Sequence, residues 1–298
     1  MDGQRVIGVD LGGTKILAGI VDRDGRADRR REHPTPVTSQ DDLLAGLDAA
    51  VEELLDDEIA AIGFGIPSPI DQRTGRAQQA VNIPLDDSID FRARMAERFG
   101  LPVGIENDAN AATYAEFHFG AAHDVQTTVM LTLGTGCGGG AVVDGKLYQG
   151  WAEFGHMVIV YDGIPCQGAC TGRGHLEAYV TGVAATRLAQ EVFGPAVDSH
   201  RLVRLANEGE PRAIEILDGI GRHLGAGIGS LVNIFNPERV VIGGGFAAAG
   251  DFILDPAREI VAREGLAGAG KRLRIVRAEL GTAAGLIGAA LVAFDALG

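Results

Sequence analysis

The sequence contains few cysteines and fewer basic than acidic residues. Only three cysteines occur in 298 residues, an odd number that does not describe a disulfide framework and that favours a reducing compartment. With 26 basic against 40 acidic residues, the formal charge is -14, and a chain this acidic lacks the positive surface that nucleic acid requires. We therefore expect a cytoplasmic protein with no nucleic-acid partner.

The sequence also lacks a hydrophobic run long enough to cross a bilayer, which takes about 20 residues. The apolar run from Ala283 to Phe294 is shorter and is typical of a buried helix. A predicted strand begins at Val6, which leaves no room before it for a signal peptide. Hydrophobic residues make up 46% of the chain, so we expect a globular protein of two domains with no membrane partner.

Two of the three cysteines lie in one glycine-rich stretch, each in sequence near a histidine. His156, Cys166, Cys170 and His175 offer four soft or borderline donors, the number and type of a tetrahedral Zn²⁺ site. Four protein ligands leave no open coordination position, so the sequence predicts a structural zinc. The alternative is a loop with two buried thiols and two surface histidines.

Two strand–glycine loop–strand units predict a duplicated fold. Their candidate phosphate-binding residues are Gly12, Gly13, Thr14 and Lys15 in the first unit and Gly134, Thr135 and Gly136 in the second. Glycine lets backbone N–H groups approach a phosphate, and Asp10, at the end of the first strand, can hold Mg²⁺. A single hairpin of this kind is more often structural, but the pair follows the plan of actin-like (ribonuclease-H-like) ATPases, which bind a nucleotide between two lobes.

A third glycine loop follows the predicted strand 239–242. In a two-lobed ATPase the loop at Gly243 and Gly244 would face the nucleoside, with its backbone close to the base and ribose. The alternative is a strand-to-helix turn that needs glycine for its geometry alone.

The segment from Glu106 to Asn110 follows a short predicted strand and opens a predicted helix. Side chains at such a strand end project into a cleft, where Asp108 could accept a proton from a substrate hydroxyl and Asn107 could bind a sugar hydroxyl. The alternative is that Asp108 caps the helix, because aspartate is a favoured N-cap.

Apolar spacing and breaker residues predict the remaining organisation. The predicted helices cover residues 41–55, 90–99, 109–117, 176–193, 213–235 and 283–294. We expect an N-terminal lobe over residues 1–117, completed by the C-terminal helix within 283–298, and a second lobe over 118–282.

Taken together, these motifs resemble the ROK family of sugar kinases and sugar-responsive repressors over essentially the whole chain. The matching motifs are Asp-Leu-Gly-Gly-Thr-Lys, Glu-Asn-Asp, Leu-Gly-Thr-Gly, Glu-x-Gly-His, the cysteine loop and Gly-Gly-Gly, in the family's order. Three positions depart from the family pattern: Ala152 replaces a glycine, the first cysteine pair is spaced Cys-x3-Cys, and His175 stands where the family has its last cysteine.

The resemblance implies an α/β, two-lobed actin-like ATPase fold with a zinc-binding loop in the second lobe. It also implies ATP-dependent transfer to the 6-hydroxyl of a hexose, with the glucokinase branch as the nearest match, and a homodimer. Residue by residue, it implies that Asp108 is the general base and that the sugar is bound by Asn107, Glu153, His156 and Glu177.

Other readings of the sequence stay open. One is a kinase of the same family for a different sugar, such as N-acetylmannosamine, fructose or allose, and another is a sugar sensor without catalysis. A sensor that binds DNA would place a winged helix-turn-helix before Val6, and we expect none there. Polyphosphate in place of ATP is a further open alternative.

Overall fold

The computed structural model describes residues 4–78, 80, 82–266 and 272–298. The chain forms two compact units with a mixed α/β fold. Unit 1 comprises Met1–Gly120, Gln149–Trp151 and Leu280–Gly298, and unit 2 comprises Ala121–Tyr148 and Ala152–Glu279. Within the described ranges, every helix is too short or too polar to traverse a lipid bilayer.

Strands and helices alternate along much of the chain. The strands are β1 (Arg5–Leu11), β2 (Lys15–Asp22), β3 (Ala27–Pro34), β4 (Ile59–Ile66), β5 (Ile70–Asp71), β6 (Arg76–Ala77), β7 (Val103–Asn107), β8 (Thr128–Leu133), β9 (Cys137–Val143), β10 (Lys146–Leu147), β11 (Arg239–Gly243) and β12 (Arg274–Arg277). The helices are α1 (Gln40–Glu52), α2 (Phe91–Phe99), α3 (Asp108–Phe119), α4 (Glu177–Val180), α5 (Gly182–Phe193), α6 (Ser199–Asn207), α7 (Pro211–Phe235), α8 (Asp251–Glu264) and α9 (Ala284–Asp295).

Each unit contains one five-stranded sheet, and the two sheets have the same plan. Unit 1 has the order β3-β2-β1-β4-β7, and unit 2 has the order β10-β9-β8-β11-β12. In both sheets an antiparallel hairpin leads into parallel strands that are joined through helices. The predicted duplication is therefore present as two sheets of equivalent connectivity.

In unit 1, helix α9 packs directly on the backbone of the sheet. Gly8, Gly63 and Gly104 lie opposite one another on three adjacent strands. A Cβ atom on any of them would approach a carbonyl oxygen of α9 to 2.4 Å or less, and at Gly63 to 1.8 Å from that of Ala289. Only glycine permits this close contact between helix and strands.

In unit 2, the long helix α7 uses its glycines in the same way. A Cβ atom on Gly225 would meet the carbonyl oxygen of Ala257 in α8 at 2.7 Å, and one on Gly227 would meet the side chain of Leu176 at 2.8 Å. The glycines that weaken helix propensity therefore allow α7 to pack closely against α8 and against the segment that precedes α4.

The helix predicted over residues 176–193 is wrong as one continuous element. The structure divides it at Thr181, whose backbone is extended (φ -93°, ψ 167°) and whose hydroxyl oxygen accepts a hydrogen bond from the Ala184 N–H at the start of α5. The Gly182 N–H instead donates to the carbonyl oxygen of Gly134 at 3.0 Å. A tertiary hydrogen bond therefore replaces the helical one at this point.

Candidate active site and metal centre

The first glycine loop joins β1 to β2 in unit 1. The Gly12 N–H donates to the carbonyl oxygen of Lys15 at 2.9 Å, and the hydroxyl of Thr35 donates to the carbonyl oxygen of Gly12 at 2.7 Å. Gly13 is partly exposed, Thr14 is exposed, and the Lys15 ammonium forms an ion pair with Glu32 at 2.9 Å. The loop thus has a fixed backbone at the surface of the unit.

Asp10 lies at the end of β1 with its carboxylate against the start of α9. A Cβ atom on Gly285 would lie 2.4 Å from the carboxylate, which shows how closely helix and side chain pack. Burial raises the pKa of Asp10 from 3.8 to about 6, and the charge of Lys15 opposes that rise. A carboxylate that is costly to ionise in this place is well suited to a bound cation, because a cation would stabilise its charged form.

Asn107 and Asp108 stand at the junction of β7 and α3. The side-chain oxygen of Asn107 accepts hydrogen bonds from the N–H groups of Ala109 and Asn110, at 2.9 and 3.1 Å. Asn107 is therefore the N-cap of α3, and Asp108 is the first residue of the helix. The capping role considered for Asp108 in the sequence is thus filled by its neighbour.

Asp108 and Asp10 both lie close to Gly65 in unit 1. A Cβ atom on Gly65 would lie 3.6 Å from the Cα atom of Asp108 and 3.9 Å from the carboxylate of Asp10. The structure therefore brings the predicted base and the predicted Mg²⁺ ligand to the same end of the parallel strands. Ligands of open α/β sheets bind at this end.

The buried carboxylate of Glu106 is hydrogen-bonded to residues of this junction. Glu106 is only 4% exposed, and it accepts hydrogen bonds from the Asn107 N–H and from the side-chain amides of Asn110 and Gln72. Burial raises the pKa of Glu106, and these hydrogen bonds oppose that rise. Glu106 belongs to the motif but was given no role from the sequence, since spacing does not reveal which way a strand-end side chain points.

The second glycine loop joins β8 to β9 and borders a cavity within unit 2. The cavity has a volume of about 760 Å³, which is in the range of small-molecule sites. Gly134 and Thr135 form part of its wall, and other lining residues include Gly182, Thr186, Ser199, His200, Arg204, Gly245 and Phe246. Gly136 follows Thr135 in the loop and lies against Glu177, so that an added Cβ atom would be 3.3 Å from its carboxylate.

The third glycine loop reaches this cavity through the residues that follow Gly243 and Gly244. A Cβ atom on Gly243 would contact the end of the Met130 side chain at 2.6 Å, and one on Gly244, where φ is +82°, would lie 2.3 Å from the carbonyl oxygen of Leu133. These two glycines therefore allow close packing on β8. The cavity wall itself is formed by Gly245 and Phe246.

The four predicted metal ligands meet in one cluster of unit 2. The donor atoms of His156, Cys166, Cys170 and His175 all lie within 4.8 Å of one another. The Nδ1 atoms of the two histidines are 3.3 Å apart, and the Cys170 sulfur lies 3.5 Å from Nδ1 of His175. Tetrahedral zinc with bonds of about 2.0–2.3 Å separates its ligands by roughly 3.3–3.8 Å, so the donor set fits that ion and these two separations match its geometry.

The segment 156–175, called here the metal loop, is folded by backbone hydrogen bonds so that these four ligands can meet. The Cys166 N–H donates to the carbonyl oxygen of Gly172 at 2.9 Å, and the Gly174 N–H donates to that of Ile164 at 2.9 Å. Gly174 has a φ of +70°, and a Cβ atom there would lie 1.7 Å from the carbonyl oxygen of Val160. The loop therefore depends on its glycines for a turn that other residues cannot make.

The two carboxylates predicted to bind sugar lie beside this cluster. Glu177 is 8% exposed, and its Oε1 atom accepts a hydrogen bond from the Cys166 thiol at 3.0 Å and lies 4.0 Å from Nδ1 of His156. Burial and the neighbouring Glu177 raise the pKa of Glu153, whereas His156 lowers it. Glu177 is thus in direct contact with two of the predicted metal ligands.

Burial and the same carboxylate also raise the pKa of the Cys166 thiol to about 12. A zinc ion at the cluster would reverse this preference, because thiolate is the form that binds the metal.

Known proteins resemble the chain over nearly its whole length. A sequence model of the ROK family matches residues 6–296. A glucokinase of Streptomyces coelicolor is 34% identical over 306 residues, which covers 95% of this chain and 96% of that protein. Among solved structures, the ROK hexokinase of Thermus thermophilus has a TM-score of 0.84 and 36% identity, and covers 98% of this chain and 99% of its own.

A second solved structure carries ligands. The ROK family glucokinase of Streptomyces griseus, in complex with glucose and AMPPNP, has a TM-score of 0.81 and 33% identity, and the match covers 98% of this chain and 99% of that one. The expected actin-like α/β fold is confirmed by these structures, and the Cys/His cluster fits the expected zinc site. The chain belongs to the ROK family.

Proposed function

We propose that this protein is an ATP-dependent hexose kinase that phosphorylates the 6-hydroxyl of glucose. The observation that carries the proposal is its similarity, over nearly the full length, to a glucokinase that binds both glucose and an ATP analogue. The retained Glu106-Asn107-Asp108 motif, with Asp108 on the first turn of α3, supports catalysis over binding alone.

The nucleotide is proposed to contact both glycine loops. Backbone N–H groups at Gly12–Lys15 and Gly134–Gly136 would bind its phosphates, and the cavity beside Phe246 would hold its base and ribose. Asp10 would hold Mg²⁺, whose role when bound is to neutralise the phosphate charge. Burial raises the pKa of this carboxyl to about 6, and a bound cation would lower that pKa by stabilising the charged form.

The sugar is proposed to bind through Asn107, Glu153, His156 and Glu177. Asp108 accepts the proton of the sugar 6-hydroxyl while that oxygen attacks the γ-phosphorus, and the bond between the γ-phosphorus and the bridging oxygen breaks to release ADP. Holding the hydroxyl in line contributes more than the base does, since alignment can lower the barrier by about 7–11 kcal/mol.

The zinc, in this proposal, is structural. His156 turns Nδ1 towards the cluster, so its Nε2 atom is the one left to meet a sugar hydroxyl. The ion would hold His156 and the adjoining carboxylates at fixed positions. The reaction itself uses no open coordination position on the metal.

The experiment that tests the function is ADP release with ATP and a panel of sugars. We expect glucose to give the highest kcat/KM, ahead of fructose, allose and N-acetylmannosamine. A higher value for another sugar would replace glucose as the substrate and keep the kinase. Absence of any sugar-dependent turnover, together with retained sugar binding, would favour a sensor without catalysis.

Two further measurements test the phosphate donor and the oligomeric state. Polyphosphate in place of ATP should give a lower kcat/KM than ATP if the base and ribose contribute to binding at the cavity. Light scattering during gel filtration should give the mass of a homodimer, twice the 31.1 kDa of one chain.

A further inference from the structure

One half-buried side chain connects the metal loop of unit 2 to the second glycine loop. Gln167 follows the predicted zinc ligand Cys166 in the sequence. Its side-chain N–H2 donates to the carbonyl oxygen of Thr135 at 2.8 Å and to the carboxylate of Glu177 at 3.4 Å. Thr135 also lines the cavity of this unit, so Gln167 spans the space between the metal cluster and the cavity wall.

Glu177 makes a second connection between the same two loops. One of its oxygens accepts a hydrogen bond from the Cys137 N–H at 3.4 Å, at the end of the glycine loop. The other lies 3.0 Å from the Cys166 sulfur, which donates to it as a thiol and not as a zinc-bound thiolate. Because Glu177 is 8% exposed, solvent competes little for these contacts. Gln167 therefore belongs to a short hydrogen-bonded network, not to an isolated surface contact.

The hydrogen bond from Gln167 fixes the orientation of one peptide unit. In a trans peptide, the C=O of Thr135 and the N–H of Gly136 share a plane and point in opposite directions. Since Gln167 holds the carbonyl oxygen, the Gly136 N–H is directed away from the metal loop. A reversed peptide would present its oxygen to a phosphate, which is repulsive, in place of a donor, which is attractive.

We propose that Gln167 is a positioning residue that couples the metal loop to nucleotide binding at the second glycine loop. The proposal rests on the proposed function only in assigning that loop to the nucleotide. With zinc bound by Cys166, the backbone at Gln167 is fixed and its amide stays on Thr135. Without the ion, the loop loses that anchor and the peptide after Thr135 is free to reorient.

Such coupling is reciprocal. If the metal strengthens nucleotide binding through Gln167, a bound nucleotide must raise the equilibrium affinity for the metal by the same factor. A residue that merely helped the metal loop to fold would affect metal content, sugar binding and stability together. Loss of the proposed role would instead lower nucleotide affinity, leave zinc content and stability unchanged, and affect sugar binding less.

The test compares wild type with Gln167→Met, which keeps the length of the side chain and removes its donor, together with the oxygen that accepts from the Thr181 hydroxyl at 3.4 Å. Calorimetric titration of the zinc-containing protein with MgADP should show binding about 2- to 10-fold weaker in the variant, the usual range for one lost hydrogen bond. Zinc content and unfolding temperature should match wild type. Glucose affinity should change less than MgADP affinity, because the contact of Gln167 with Glu177 is the longer of its two hydrogen bonds, at 3.4 Å against 2.8 Å. Gln126→Met, at an exposed glutamine of the same unit, is the control and should bind MgADP as wild type does.

A second measurement removes zinc with a chelator from both proteins. Wild type should lose MgADP affinity on removal, and Gln167→Met should lose less, since the connection is already broken. Equal MgADP binding by wild type and variant would overturn the inference and leave the kinase intact, as would a parallel loss of zinc and glucose affinity in the variant. Failure of wild type to bind MgADP at all would instead overturn the nucleotide assignment on which both depend.

Discussion

At the start of α3, Asn107 is the N-cap of the helix and the adjacent Asp108 is the proposed general base. Asn107 accepts the hydrogen bonds of the first N–H groups of the helix, so the helix does not rely on Asp108 for its N-cap. An aspartate in the first turn still gains from the helix dipole, by about 0.3–1 kcal/mol. Replacing Asp108 should therefore test chemistry with little effect on folding.

We predict that Asp108→Asn lowers kcat by at least about 100-fold, the lower range for loss of a general base. Glucose affinity and the free energy of unfolding should change little, because an amide keeps the shape and one acceptor oxygen. Steady-state kinetics and glucose titration measure the two effects separately. Asp41→Asn, in the first turn of α1, is the matched control, and turnover above a tenth of wild type would remove Asp108 from its role.

Asp10 should make stability depend on pH in the opposite sense to an ordinary surface aspartate. Its pKa rises from 3.8 to about 6 in the folded protein, so the folded state holds the proton more tightly than the unfolded state. Stability from this group is full below pH 4, declines as pH rises and is lost above pH 6. Asp10→Asn removes that loss, and at pH 8 without Mg²⁺ it should raise the free energy of unfolding by up to roughly 3 kcal/mol.

Urea unfolding of both proteins between pH 4 and pH 8 measures this difference. The advantage of Asp10→Asn should grow through pH 6 and shrink when Mg²⁺ and nucleotide are added to wild type, since a bound cation favours the carboxylate. A difference that does not vary with pH would show that the Asp10 carboxyl is not buried as described. The variant should also lose kinase activity, as expected when a functional group is costly to fold.

At the scale of secondary-structure elements, the sequence predicted those strands and helices that depend on a local residue pattern. The hairpin strands, the strand before Asn107 and the amphipathic α1 follow from alternation, apolar runs and 3.6-residue spacing. Strand β3 was not predicted, because Ala27–Pro34 is almost wholly polar and joins the edge of the sheet through its backbone. Helix α8 was also missed, since Pro256 inside it is ordinarily a breaker signal.

The candidate site was likewise predictable only where it depends on a local residue pattern. Cysteine and histidine clustering in one loop is specific enough to predict four donors that the structure brings within 4.8 Å. The contacts of Gln167 and Glu106 depend on tertiary structure, because each reaches across at least 32 residues of sequence to Thr135 or Gln72. No residue pattern indicates such partners. The Thr181 break in the helix has the same origin.

The row of glycines that α9 packs on (Gly8, Gly63 and Gly104), called here the glycine row, gives a prediction for this helix. Gly63→Ala places a methyl group 1.8 Å from the carbonyl oxygen of Ala289, and the helix must shift, which typically costs about 1–3 kcal/mol. Because α9 also packs on Asp10 through Gly285, kcat should fall with the free energy of unfolding.

Gly219→Ala is the matched control for this substitution. The position lies within α7, and a Cβ atom added there would meet no atom from outside its own stretch of helix within 4 Å, so alanine should raise the free energy of unfolding by about 0.4–1 kcal/mol. Both values come from denaturant melts of the two variants. Equal effects of the two substitutions would mean that α9 does not lie on the glycine row as closely as the structure has it.

At the scale of the whole molecule, the metal cluster belongs to one unit only. All four candidate ligands lie in unit 2, on a loop whose backbone is held by a few hydrogen bonds and whose glycines favour the unfolded chain. A bound ion stabilises the folded state by mass action. Its removal should therefore loosen this unit locally and leave the sheet of unit 1 as protected as before.

We predict about one zinc per chain by elemental analysis, and on chelation a loss of about 2 kcal/mol or more, roughly 4–8 °C in unfolding temperature for a unit of this size. Hydrogen exchange should quicken in residues 152–182 and not in β1, β4 or β7. Cys170→Ser should reproduce the effect, whereas Cys137→Ser, at the one cysteine outside the cluster, should keep its zinc. Metal-free protein with unchanged exchange in that loop would show that the four side chains meet without serving a metal, and it would remove the proposed support for His156 and the carboxylates beside it.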